Sequence, residues 1–293
     1  MPVSPPAARA GKPARVDLAG KPAQAKSDTG QDKAGASDRV RLGVPEVDGL
    51  MACGAGLALG ALHEIGADES RDCGAVSGLG LAFVAAVARS RPGQVLWACD
   101  PMVRREAGLP HAPGLWQFGL DPARIILVLA RRPEEALWAM EEGARCPALA
   151  AVVGEFHGFV RALDLTASRR LSLRAQESGV PVFLLRHGAV AEPGAALTRW
   201  RAAPAASGPV SLAPGGSEPG MGRHPFIGLS RWRAALDRNR EGSSARLTLE
   251  WSHAASRLAA PAASDALVSA TAAGPDPAAA GGELVAFPGR RAG

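Results

Sequence analysis

Between residues 38 and 258 short apolar runs alternate with stretches that carry helix signals. Continuous apolar runs predict strands at 61–65, 95–99, 124–129, 149–153 and 180–185. Helices are predicted at 76–88, from Pro133 to Gly143, and at 166–177 before Gly179. In the second of these, proline opens the first turn and Glu134 and Glu135 suit the positive end of the helix dipole. Strand and helix alternate with short connections, which argues an α/β fold with a mostly parallel sheet covered by helices on both faces. The pattern changes after residue 197. TRWRAA at 198–203 and SRWRAA at 230–235 are near-copies, and ARLTLEW follows at 245–251. Period-2 alternation puts Trp200 and Trp232 on one face and their flanking arginines on the other. Antiparallel strands are therefore predicted at the C-terminal end of the sheet.

Residues 1–37 and 259–293 are rich in Ala, Pro, Gly and Ser with few large apolar side chains, so both are expected to be disordered tails around a domain at 38–258. A Pro- and Gly-rich stretch at 203–225 is expected to be a mobile loop. No uninterrupted apolar run approaches 18 residues, and the N-terminus lacks the apolar core of a secretory signal, so no membrane contact is expected. The four cysteines (Cys53, Cys73, Cys99 and Cys146) show no C-x-x-C spacing, which points to reduced thiols in a cytoplasm. The six histidines form neither H-x-x-x-H nor H-E-x-x-H, so no metal site is expected. Net charge is +5, of which residues 38–257 hold +3. All lysines (Lys12, Lys21, Lys26 and Lys33) precede residue 38, so the domain holds no catalytic lysine.

The segment after the first predicted strand, GADESRDCGAVSG over residues 66–78, stands where an α/β nucleotide-binding protein carries its phosphate loop. A working loop needs G-x-x-x-x-G-K-[ST]. Gly66, Arg71, Gly74, Ser77 and Gly78 form at most a degenerate version of it. Lysine is missing, Arg71 is the nearby cation, and Asp68, Glu69 and Asp72 place carboxylates where phosphates would sit. At the end of the 149–153 strand Gly154 occupies the position of a magnesium-holding acid. Glu155 follows it and could in principle reach a metal, but the blander reading is a polar strand terminus bonded to the next loop. Met102 stands where a water-activating acid would be expected. No G-x-S-x-G elbow supplies a nucleophile. No catalytic residue, cofactor or ATP hydrolysis is expected.

Arginines are dense near the last strands: Arg223, Arg231, Arg233, Arg238, Arg240 and Arg246 are accompanied within that span by Asp237 and Glu241. Such a face could follow the phosphates of single-stranded DNA, with Trp200 or Trp232 as stacking platforms, or meet the carboxylates of a protein partner. The blander expectation places both tryptophans in the core.

The segment 45–65, with its glycine-rich turn before the first strand, resembles RecA, as do FGLDPARIIL at 118–127, the stretch 192–201 and WRAALDRNR at 232–240. The likeness covers about residues 40–252 and departs at the nucleotide motifs. LHE at 62–64, VLW at 95–97, VGE at 153–155, LTASRRL at 165–171, LLR at 184–186 and the ending R-N-R-x-G…LEW are similar to the bacterial ImuA group of damage-inducible mutagenesis proteins. The resemblance implies a RecA-like, non-enzymatic accessory of SOS-induced translesion synthesis. Its partners would be an ImuB-like adaptor and an error-prone DnaE-type polymerase, with RecA as a further candidate, and any DNA contact would be weak and non-specific. Arg231, Arg233, Arg238 and Arg240 form the candidate interaction face. Two alternatives belong to other classes: an ATP-dependent RecA-like DNA-binding protein, and a SulA-type cell-division inhibitor acting on FtsZ.

Overall fold

The computed structural model describes residues 38–189, 192–207 and 228–261. The expected tail 1–37, all but the first residues of 259–293, and most of the expected loop 203–225, with Arg223, lie outside the described residues. Two short strands, β1 (Arg39–Val40) and β2 (Leu57–Ala58), pair as a separate antiparallel ribbon around the one-turn helix α1 (Pro45–Asp48). The chain continues through β3 (Leu62–Gly66), α2 (Cys73–Ser90), β4 (Val95–Cys99), α3 (Pro101–Glu106) and α4 (Ala112–Gln117). It then runs through β5 (Ile125–Leu129), α5 (Pro133–Ala144), β6 (Ala151–His157), α6 (Leu165–Ser178) and β7 (Val182–His187). Four strands complete it: β8 (Thr198–Pro204), β9 (Arg231–Asn239), β10 (Ala245–Ser252) and β11 (Arg257–Ala259).

The main sheet has nine strands in the order β11-β10-β9-β8-β3-β7-β6-β4-β5. From β5 to β8 every neighbouring pair is parallel, and β8 through β11 pair antiparallel. The α/β class and the antiparallel extension match the sequence reading. Two hydrophobic layers sandwich the sheet. On one face α2 packs over a cluster that includes Phe83, Trp97, Val153, Leu185, Trp200 and Trp232. On the other, α5 and α6 cover Ala98, Val152, Phe156 and Leu184. The second helical layer reaches across the sheet as far as β3. Beyond β3, that side of β8–β10 carries Arg201 and Arg233, both exposed.

Helix α2 lies close to the sheet because glycines face it. A Cβ on Gly78 would stand 3.0 Å from the Trp232 ring, and one on Gly80 would stand 2.6 Å from Leu185. By length and composition α2 belongs to a helix able to cross a membrane, with a mean hydropathy of 1.5. This qualifies the expectation drawn from uninterrupted runs: Ser77 and three glycines break the run but not the helix. Eleven of its residues are buried against the sheet, so core packing accounts for its apolar character.

Candidate functional site

The segment between β3 and α2 is shorter than the phosphate-loop reading requires. Strand β3 ends at Gly66 and α2 starts at Cys73, leaving 67–72 between them. Of the five predicted loop residues, Arg71 alone is in that segment. Gly66 closes β3 beside Arg186 of β7, Gly74 is in the first turn of α2, and Ser77 and Gly78 are in the helix body. Local apolar periodicity resumes only at Val76, which is why the helix start is misread from sequence. Two carboxylates of the segment have cations of their own. Arg71 pairs with Glu69 at 2.7 Å, and Arg201 reaches from β8 to Asp68 at 2.8 Å. Arg71 is therefore not the only nearby cation.

Ser77 donates its hydroxyl to Glu155 Oε1 at 2.9 Å. This corrects the reading of Glu155 as a strand terminus bonded to a loop. β6 runs on to His157, so Glu155 lies within the strand, 3% exposed, beneath α2. Trp97 Nε1 donates to Oε2 at 2.9 Å, His187 Nε2 lies 2.8 Å from Oε1, and the Cys99 thiol is 3.8 Å from Oε2. Burial alone would raise the carboxyl's pKa. The hydrogen bonds from His187, Trp97 and Ser77, with the neighbouring imidazole's charge, hold it below the usual carboxylate value. Burial beside Glu155 pushes the Cys99 thiol up, so it stays protonated. A carboxylate of lowered pKa is a poor base for the Ser77 hydroxyl, and a protonated thiol is a poor nucleophile. The cluster is a hydrogen-bonded support between helix and sheet.

Gly154, at the expected position of the magnesium acid, faces the opposite layer. A Cβ there would stand 2.0 Å from Met140 Sδ of α5, so close helix packing accounts for the glycine. Asp100 follows β4 and caps α3 by accepting from the amides of Met102 and Val103, and it also accepts from the His157 amide. Met102 is exposed on α3. A cavity of about 190 Å³ opens above Glu155 between α2 and the α3–α4 connection, lined by Ser77, Trp97, Leu109, His111 and Leu115. Its floor is a carboxylate, which disfavours phosphate. Among the described residues no three His, Cys, Asp or Glu side chains converge to hold a metal ion.

Trp200 and Trp232 are 1% and 4% exposed, so the core expectation for them holds and neither is a stacking platform. Their flanking arginines face the other way. Arg231 pairs with Glu250 of β10 at 2.5 Å, which local counting of acids within 223–246 could not show. Glu241, counted with these arginines from sequence, instead takes Arg39 at 2.6 Å. At the far end of β9, Arg238 and Arg240 both donate to the Gly194 carbonyl, at 2.8 and 3.3 Å. The four predicted arginines thus form two pairs, separated along the strand. Arg233 instead joins Arg201 and Arg246 around a groove of about 330 Å³ whose lining includes Ala203, Leu247 and Thr248. Arg201 was not singled out from sequence. The repeated R-W-R pattern, together with the pairing of β8 with β9, was the available signal.

No family model matches the sequence. The chain is 36% identical over 215 residues to Protein ImuA of Caulobacter vibrioides, in each of two strains. The matched region is 68% of this chain and 78% of that protein.

Proposed function

Since the chain belongs to the ImuA family, we propose that it is a non-catalytic accessory of SOS-induced translesion DNA synthesis in the cytoplasm. It works by binding an ImuB-like adaptor and an error-prone DnaE-type polymerase, with RecA as a further candidate partner. The observation that carries the non-catalytic part is Ser77 bonded to Glu155 at 2.9 Å in the body of α2. A hydroxyl needed by magnesium is here engaged by a buried carboxylate, next to a segment in which Asp68 and Glu69 already have guanidinium partners. The RecA-like sheet then serves as a rigid frame. Its candidate interaction face is the arginine side of β9: Arg231 and Arg233, extended at the other end by Arg238 and Arg240. The buried positions of Trp200 and Trp232 favour protein carboxylates over single-stranded DNA as the ligand of that face, because no base can stack on them. Calorimetric titration with MgATP tests the reading. Heats at the level of dilution support it, and saturable binding with turnover would overturn it.

A further inference from the structure

The sheet ends in an apolar edge. Strand β5 pairs with β4 on one side and stands last in the strand order. Ile126, Leu127 and Leu129 are 37%, 39% and 46% exposed, so β5 presents apolar side chains on both of its faces. An edge strand offers a row of backbone donors and acceptors whose natural partner is another strand. Natural edges are usually blunted by charge, proline or a bulge, and Ile125–Leu129 has none of these.

We propose that residues 283–287 of this same chain, Glu283, Leu284, Val285, Ala286 and Phe287, add to β5 as a tenth, antiparallel strand. The segment combines strand-forming residues with punctuation at both ends, Gly281 and Gly282 before it and Pro288 and Gly289 after it. Its charges complement those around β5. In the antiparallel direction Glu283 meets the end of β5 that carries exposed Arg131 and Arg132. Reach is sufficient. Eight inter-strand spacings of about 4.8 Å place β11 roughly 38 Å from β5. The roughly 22 residues at 262–283 can extend about 70 Å.

Hydrogen exchange of the full chain, read on a peptide covering β5, tests this. Val285→Pro with Phe287→Asp alters none of the described residues and should speed exchange in β5 on the order of tenfold. Arg131→Glu with Arg132→Glu should do the same, and adding Glu283→Arg should restore the slower rate. Equal β5 exchange in the parent and the Val285→Pro, Phe287→Asp chain would overturn the proposal. Protection that rises with protein concentration would overturn it in favour of a second copy.

Discussion

Ser77 on α2 and Glu155 on β6 are 2.9 Å apart, and that bond joins the helix to the sheet. Glu155 is also bonded by Trp97, His187 and the Cys99 thiol, so truncating it strands the Trp97 N–H and the His187 ring in the core. Glu155→Ala is expected to lower stability by about 3–5 kcal/mol. Ser77→Ala, which removes one donor to a carboxylate that keeps its others, should cost only about 1 kcal/mol. Denaturant melts of the two variants check the ranking; equal effects would mean the hydroxyl matters as much as the charge.

The buried His63 sets the response to acid. Its Nε2 lies 2.8 Å from the Ala58 carbonyl and its Nδ1 2.8 Å from Thr198 Oγ1. Burial lowers its pKa from 6.5 to about 4, so near neutral pH it is the neutral tautomer that donates from Nε2 and accepts at Nδ1. Above pH 6.5 both folded and unfolded chains leave it neutral. As pH falls from 6.5 to about 4 the unfolded chain takes the proton and the folded chain does not, so stability declines by about 3 kcal/mol across that window. Melting temperature measured from pH 7 to pH 4 should show the decline. In His63→Gln that contribution to the slope should vanish, and an unchanged slope would assign it to other groups.

Two tryptophans and a glycine test the packing of α2. Trp200→Ala and Trp232→Ala are each expected to cost about 3–5 kcal/mol, as fully buried large side chains do. Gly78→Ala removes a helix-disfavouring residue yet presses a methyl group to 3.0 Å from the Trp232 ring. The rigid indole should make that substitution destabilising by about 1 kcal/mol despite the gain in helix propensity. A stabilised Gly78→Ala protein would show that the indole gives way.

The inner parallel strands were legible because both their faces are buried: runs such as 95–99 need no alternation and end at clear turn residues. The antiparallel end was legible from the R-W-R alternation. What stayed hidden depends on contacts distant in sequence. Helices α3 and α4, which the sequence reading did not predict, are each one to two turns long and carry Pro101 and Pro113 at first-turn positions where proline fits. Gly154 read as a lost acid because nothing local reveals Met140 lying over it. Glu155 read as a strand end because its three partners come from α2, β4 and β7. Arg231 read as an available cation because Glu250 meets it only through the register of β9 with β10.

MgATP should be neither bound specifically nor hydrolysed. Phosphate release at the level of a buffer blank is the expected outcome. Turnover that disappears in Ser77→Ala would show that the bond to Glu155 opens to admit magnesium.

The binding face is tested most directly by the affinity of an ImuB-like adaptor for the parent chain and for Arg233→Glu with Arg246→Glu, across a salt series. These two arginines line the groove beside Arg201, and changing them leaves the Arg231–Glu250 pair intact. Single-stranded DNA is measured alongside. The expected result is adaptor affinity reduced at least about tenfold in the variant, with DNA binding weak in both proteins and fading steeply as salt rises. Unchanged adaptor affinity with a loss of DNA affinity would contradict a protein-binding role for this face.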